Sequence, residues 1–337
     1  MGRARFTTRT TRLVPQIYQW SLAVQRELGP NTVAEIAYVA SHAHNLSFPV
    51  DINQVPEDKL GPNDSPSALP YPIYQSITGD TFNGISNYNS LQASISRRFA
   101  SGLSMNFNYT WSHFLDDQDS SGYGGAAGTQ TVQRSYDPSA SYGASNFDVR
   151  NAFKGRVVYE LPIGKGKMFL NKSSLLDAAI GGWQASGTFV LSSGFPFTPT
   201  VSGSNNSFSQ AGDWYPNQIG NPRPRHRSID QWFDPSAYTL PAPGTFGNMR
   251  RNSVYSPGID EVNLSAGKTF ALGDRINLQI RADTTNAFNH PSFGQPNYAL
   301  EPGGPPDNPF LGSPTNITSL TVGDDAAQRA GILLTRD

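Results

Sequence analysis

The chain has 337 residues, a formal net charge of −1 and no cysteine, and charged residues make up only 15% of it. Near-neutral charge without a basic tract argues against nucleic-acid binding, and the lack of cysteine excludes disulfide scaffolds, cysteine zinc sites and thiol catalysis. No stretch reaches the ~18 consecutive apolar residues of a transmembrane helix. The mean hydropathy of −0.44 still allows membrane-spanning β-strands, because these expose an apolar side chain at only every second position.

In chain order, alternation of apolar and polar residues predicts about nine strands. The clearest case has Leu103, Met105, Phe107, Tyr109 and Trp111 on one face, opposite Ser104, Asn106, Asn108, Thr110 and Ser112. A helix would not separate these residues into two groups. The predicted strands cover residues 17–27, 32–40, 90–96, 103–112, 153–161, 183–191, 262–270, 276–283 and 330–334.

The connections between these strands alternate in length. Tight turns are predicted at 28–31, 100–102 and 271–274, and long segments rich in Gly, Pro, Ser and Asn at 41–87, 113–147, 193–257 and 289–316. Residues 162–181 are intermediate, with a candidate short helix at 175–180. Short turns at one end and long loops at the other are typical of outer-membrane barrels, whose turns are periplasmic and whose loops are extracellular. We therefore predict an all-β fold of antiparallel transmembrane strands.

The aromatic residues favour the same fold class. In membrane barrels they collect in two girdles at the lipid–water interfaces. The sequence places Tyr18, Trp20, Tyr38, Tyr109 and Trp111 at predicted outer strand ends, and Phe99, Tyr159, Trp183 and Phe270 at inner ends. The alternative is a soluble β-sandwich or propeller whose apolar faces pack on each other. The polar faces, rich in uncharged Ser, Thr, Asn and Gln, favour a wet barrel lumen instead.

Several segments in order resemble one transporter family. Together they resemble the C-terminal half of the TonB-dependent receptors called Oar-like, across most of residues 15–297. Each motif is weak alone, and the ordered set is fairly specific. The segments are Asn87–Gln92, Arg97–Phe99, Asn108–Ser112, Ser145–Arg150, Leu161–Lys167, Gly182–Gln184, Ser193–Phe197 and Asn286–Pro291.

The resemblance implies a large plugged barrel, of the type with ~22 strands, that imports a bulky substrate on energy delivered by TonB. Residues 1–337 would then be a single incomplete barrel domain, with the plug and an N-terminal sandwich domain absent. The implied partners are outer-membrane lipid, the TonB system acting through the missing plug, and an unknown substrate. The implied location is the cell outer membrane, with no cofactor.

Two loop motifs have weak functional interpretations. Gly122 to Ala127 has the spacing of a dinucleotide-binding turn, but it follows a polar run rather than a strand, so a plain loop is favoured. Asp117, Asp119, Ser121 and Gly122 resemble the start of a calcium loop, but Gly128 stands where the bidentate Glu should be.

No residue set recommends catalysis or metal binding. The histidines at 42, 44, 113, 226 and 290 do not form a zinc motif, and no nucleophile elbow or acid pair is found. Polar-face charges are interpreted as lumen solvation and cross-strand pairing rather than substrate recognition; these are Glu35, Arg98, Arg281 and Asp283. Ligand recognition is expected in the loops at 113–147 and 193–257, without a named residue.

Two functions follow from the sequence. The first is the barrel portion of a TonB-dependent receptor, which we expect to be inactive alone because the plug is missing. The second is a secreted or surface β-rich adhesion or carbohydrate-binding module. An enzyme is not expected. We also expect the isolated chain to aggregate or remain unassembled, because about nine strands leave two open sheet edges in a bilayer.

Overall fold

The computed structural model describes residues 13–61, 65–74, 77–118, 132–164, 166–169, 181–202, 214–271, 276–317 and 328–336. In these residues, nine long strands form one antiparallel sheet in chain order, so the predicted all-β class and all nine strand positions are confirmed. The strands are β1 (Gln16–Gly29), β2 (Thr32–Asp51), β3 (Thr78–Ala100), β4 (Leu103–Asp116), β5 (Asn151–Glu160), β6 (Trp183–Ser192), β7 (Ile259–Ala271), β8 (Ile276–Thr284) and β9 (Gln328–Arg336).

The register places the apolar residues of neighbouring strands on one face. Phe107 of β4 lies between Ile95 of β3 and Gly155 of β5, and Gly155 in turn faces Phe189 of β6. The Phe107 ring stacks on that of Phe153, with centroids 5.8 Å apart. Gly155 leaves room for it, since a Cβ there would lie 2.5 Å from Phe107 Cδ1.

The apolar face is exposed in the described structure. Leu22 is 72% exposed, Val24 68% and Trp111 51%. A sandwich would bury these side chains against a second sheet, so the soluble alternative does not fit this face. The predicted aromatic residues Tyr18, Trp20, Tyr38, Tyr109, Phe99 and Tyr159 are also exposed.

The apolar face also carries charged residues, among them Arg26, Arg97 and Lys268. Lys268 of β7 pairs in register with Trp183 and Ile280 and is only 4% exposed. Its ammonium nitrogen lies 4.8 Å from the centroid of the Phe270 ring. Lys268 is close to the end of β7, where a long aliphatic stem allows a charged head to reach the interface.

The connections alternate between two ends of the sheet. Residues 30–31 join β1 to β2 and residues 101–102 join β3 to β4, whereas residues 117–150 and 193–258 are long connections at the other end. Asn31 and Ser101 adopt positive φ angles of 66° and 52°, as tight turns require. The candidate helix at 175–180 lies outside the described residues. No helix in the described part is long and apolar enough to cross a membrane.

The predicted loop at 41–87 was wrong at both ends, because β2 continues to Asp51 and β3 begins at Thr78. The pairing of β2 with β3 shifts twice, between Ala43 and Leu46 and between Leu46 and Phe48. Each bulge changes which face the following side chains occupy, so the alternation is lost in the sequence while the pairing continues. The predicted loop at 113–147 likewise begins later, because β4 extends to Asp116.

The sheet is open within the described residues. β1 pairs only with β2, and β9 pairs only with β8. β1 is exposed along most of its length, which is the pattern of an edge strand. Since all eight pairings along the sheet are antiparallel, β1 and β9 run in the same direction.

Candidate functional site

The long connections pack together into a structure with its own apolar core. Two fully buried rings at its centre, Phe233 and Tyr238, contact each other edge to face at 6.2 Å. Phe197 packs on Phe233 at 5.8 Å. The core draws on residues 193–258 and 285–317, and its buried members are Phe197, Tyr215, Phe233, Ala237, Tyr238, Met249, Val254, Leu300 and Phe310.

Close backbone approaches hold this loop core together. Pro196–Phe197 pairs with Val254–Tyr255 as a two-residue ladder. Beside it, a Cβ added at Gly194 would lie only 2.0 Å from the carbonyl oxygen of Ser256. Glycine is therefore required at this crossing, and the loops are built as a packed unit.

Asp148 joins the loops to the end of β4. Its side chain is fully buried, and its Oδ1 accepts the backbone N–H of Phe114 at 2.7 Å. Its Oδ2 accepts the Tyr255 hydroxyl at 2.7 Å and pairs with Arg150 Nε at 2.8 Å. Burial raises the pKa of Tyr255 to about 12, and the hydrogen bond to Asp148 adds to this effect. The phenol therefore remains a donor at neutral pH.

A buried ion pair makes a second junction. The Arg251 guanidinium bonds the Asp116 carboxylate at the end of β4, and both side chains are almost completely buried. Arg251 Nε also donates to the carbonyl oxygen of Ser141 at 3.0 Å. The next residue, Asn252, donates to Ala144 O at 2.7 Å and accepts the Thr198 hydroxyl at 3.0 Å. These side chains tie both long loops to β4.

Asp117 lies beside this ion pair, beyond the end of β4. Both of its carboxylate oxygens accept the backbone N–H of Ile85, at 3.0 and 3.2 Å. Burial raises the pKa of Asp117 to about 6, the Ile85 hydrogen bond opposes this, and the neighbouring Asp116 raises the pKa further. Part of the loop junction can therefore be protonated near neutral pH.

A cleft of about 320 Å³ opens on the polar face of the sheet, next to the folded loops. We call it the polar-face cleft. Its floor comes from β3, β4 and β5, and one wall comes from the Asp148 segment. The lining residues are Tyr88, Asn108, Thr110, Ser112, Phe147, Val149, Ala152 and Lys154.

The chemistry of the polar-face cleft suits a polar solute. Phe147, which lines the cleft, is 65% exposed. Lys154 is exposed and faces Asn108 across the strand pair, and it is not in an ion pair with any described residue. The cleft thus offers one cation, amide and hydroxyl groups, and an aromatic surface.

The structure disperses the predicted histidines and charges. His42 contacts Asn87 Oδ1 at 2.6 Å, and His113 lies 3.6 Å from Asp148. Arg281 bonds Asp283 in its own strand at 2.8 Å, and its Nε also donates to Ser265 of the neighbouring strand at 3.1 Å.

The remaining predicted residues have no common site. His44 stacks on Tyr18 at 5.8 Å. His226 and Arg98 are exposed, His290 is 3.7 Å from Asp260, and Glu35 lies opposite Gln25 and Ser94 on the polar face. Among the described residues, no group of three or more His, Asp or Glu side chains could hold a metal. The dinucleotide-like segment and the calcium-like positions after Asp117 fall outside the described residues.

The sequence did not point to Phe147, Lys154, Asp148 or Arg251 as site residues. Two segments that carry the family resemblance build the junctions: Ser145–Arg150 contains Asp148, and Ser193–Phe197 contains Gly194 and Phe197. These residues could have been found from one signal in the sequence: a motif in a polar loop that combines a carboxylate with an aromatic residue.

The chain matches the sequence model of the outer membrane beta barrel domain over residues 2–329. It therefore belongs to this family and lies in the outer membrane. No curated protein matches it. Among solved structures, it is similar to the outer membrane transporter YddB from Escherichia coli, with 9% identity and a TM-score of 0.40. That match covers 96% of this chain and 32% of the transporter, so the chain spans about a third of that protein's length.

Proposed function

We propose, on the premise that the chain belongs to the outer-membrane barrel family, that it is the barrel part of a TonB-dependent receptor of the Oar-like kind. In this proposal the apolar face contacts lipid and the polar face lines the lumen. The folded loops lie on the cell surface, and the polar-face cleft contacts a bulky polar solute on its way through. The energy comes from TonB through a plug domain.

The main support for this proposal is the contrast between the two faces of one sheet. One face exposes large apolar side chains such as Leu22 and Val24, while the other carries a cleft with Lys154, Asn108 and Phe147. A lipid-facing surface and a wet, solute-contacting surface on the same strands are what a transport barrel requires.

Strand direction supports further strands in the assembly. If β9 paired directly with β1, the two strands would be parallel, because they run in the same direction. The same holds if β9 paired with β1 of a second copy in the same barrel. An antiparallel barrel therefore needs an odd number of additional strands. A barrel of ~22 strands would take about thirteen more, which is odd.

The test uses the full-length protein in its outer membrane. Mass spectrometry of spent medium should show at least one large polar solute depleted only when the protein is present, and deletion of TonB should abolish this depletion. Lys154→Gln should reduce the depletion, while Arg225→Gln, at an exposed loop residue, should not. Depletion that persists without TonB, or no depletion at all, would contradict the proposal.

One observation favours adhesion as a second function. Tyr71, Ile73 and Tyr74 are exposed together, with Ile73 at 92%. The fully buried Asn53 holds their turn by donating to the carbonyl oxygens of Tyr71 and Tyr74 at 3.1 and 2.8 Å. If this turn is an adhesive surface, Ile73→Ser should lower cell binding to glycan or protein surfaces and leave solute depletion unchanged.

A further inference from the structure

A second cleft, of about 260 Å³, lies between two loops away from the sheet floor. We call it the loop cleft. One wall is the segment 133–141 and the other is the segment 247–250, and Tyr215 contributes between them. It shares no lining residue with the polar-face cleft, so it can be tested separately.

Buried side chains hold both walls in place. Gln54 is fully buried, donates to Gln133 O at 2.9 Å and accepts the Ser135 N–H at 2.7 Å. Across the cleft, Asn248 N–H donates to Asn217 Oδ1 at 2.9 Å. Walls fixed in this way lose little freedom when a ligand binds, which favours affinity.

The loop cleft presents hydrogen-bond donors from Gln133 and from two arginines. Gln133 is 4% exposed, and its side-chain Nε2 has no hydrogen-bond partner among the described residues. A buried donor left without a partner is costly, so this atom is expected to meet a ligand or water. Arg134 and Arg250 also line the cleft, and no Asp or Glu does.

Both guanidinium groups are available to a ligand. Arg250 is exposed and forms no ion pair with a described residue. Arg134 lies 3.6 Å from Glu57, whose side chain is 59% exposed. Such a pair is weak in water and can yield to a better acceptor. The Arg134 guanidinium is also held over the Phe246 ring, 5.1 Å from its centroid.

We propose that the loop cleft binds an oxyanion, either the carboxylate or the phosphate group of a solute. Arginine presents a planar fork of donors that matches both groups, and a buried amide N–H adds a directional bond. The site does not depend on the transport proposal, since it lies in the folded loops and uses none of the polar-face cleft residues.

The test is titration calorimetry on the purified full-length protein in detergent, with citrate and inorganic phosphate as probes. We expect one saturable site, with affinity lowered about tenfold or more by Arg250→Gln. Gln133→Leu should lower affinity less, because it removes a neutral donor. Arg225→Gln, at an exposed loop residue that lines neither cleft, is the matched control and should bind like the unchanged protein.

Two further measurements complete the test. Lipopolysaccharide added as a third probe separates a free anion from a lipid phosphate, since competition with citrate would identify lipid phosphate as a source. Heat-modifiable gel mobility checks that the Gln133→Leu variant is folded. If Gln133→Leu does not fold, the Arg250→Gln variant, which changes an exposed residue, decides the outcome. No saturable binding of either probe, or equal binding by Arg250→Gln, would overturn the proposal.

Discussion

The sheet and the folded loops bury their residues in opposite ways. In the sheet, large apolar side chains such as Leu22 and Val24 are mostly exposed, and the strands are held by backbone pairing across nine strands. In the loops, Phe233, Tyr238 and Phe310 are completely buried. The sheet therefore depends on lipid to cover its apolar face, whereas the loops fold around a core of their own.

This difference separates two kinds of stability. Removing lipid should damage the sheet first, because nothing else among the described residues covers its apolar face. Breaking buried polar junctions should damage the loops first, because Asp116, Asp148 and Arg251 are enclosed by protein. Each of the following substitutions changes either the sheet or the loops, and we expect it to have little effect on the other region.

The largest effect is expected at the buried ion pair. Arg251→Met leaves the Asp116 carboxylate buried without its cation, which should cost about 3 to 5 kcal/mol of loop docking. Hydrogen exchange of backbone amides in the loop core should report the loss, while the exchange of β4 to β6 amides should change little.

The matched control is an exposed ion pair in the sheet. Arg281 and Asp283 are 55% and 40% exposed in their side chains, so Arg281→Met should cost less than about 1 kcal/mol. The double variant Asp116→Asn with Arg251→Met should recover part of the loss, since no buried charge remains. Equal effects of Arg251→Met and Arg281→Met would show that the loop junction is not enclosed as described.

The next effect tests which face meets lipid. Phe107→Arg places a charge near the middle of the apolar face and should cost roughly 2 to 4 kcal/mol in the full-length protein, measured by urea unfolding in vesicles. The neighbouring Asn108→Arg should be much milder, because that side chain enters the wet face.

Labelling gives an independent reading of the same comparison. The chain has no cysteine, so single cysteines can be introduced without background. At 105, 107 and 109 they should react with lipid-soluble probes, and at 106 and 108 with aqueous probes. Aqueous access at 107, or equal labelling of both sets, would contradict a membrane-facing apolar surface.

We expect a smaller loss of stability from replacing either of two glycines by alanine. Gly194→Ala puts a Cβ 2.0 Å from a backbone oxygen in the loops, whereas the nearest atom at Gly187 in β6 is the Phe189 ring at 3.2 Å. Gly194→Ala should weaken loop docking by about 1 to 3 kcal/mol, as overpacking does. Gly187→Ala should cost less, because the ring can turn toward lipid. Protease cleavage of the loops in intact vesicles measures the effect of Gly194→Ala. Heat-modifiable gel mobility measures the effect of Gly187→Ala.

The sheet was predictable from the sequence because its signal is local. Alternation at Leu103 to Ser112 requires only neighbouring residues and the two-residue period of a strand. The prediction failed where bulges near Leu46 shifted the pairing. Two successive shifts erase the period without ending the strand, so the extension of β2 and β3 was not visible.

The candidate sites were not predictable, because they depend on contacts between distant segments. Arg251 and Asp116 are 135 positions apart, and Gln54 and Ser135 are 81 apart. The loops that contain them lack any period and read as Gly- and Pro-rich segments. Their apolar residues, such as Phe233 and Phe310, are spaced irregularly, so only the folded arrangement reveals a core.

The smallest expected effect is a pH dependence confined to the loops. Burial raises the pKa of Asp117 from 3.8 to about 6, so between these values the docked loop binds more protons than an undocked loop. Docking should therefore strengthen as the pH falls from 7 to 5, and weaken as it rises through 6. Hydrogen exchange of the Ile85 amide, which donates to Asp117, measures this locally. Asp117→Asn keeps an acceptor for that amide but cannot ionise, so its loops should lose the pH dependence. A pH effect of the same size in that variant, or one centred in the sheet, would assign it to other groups.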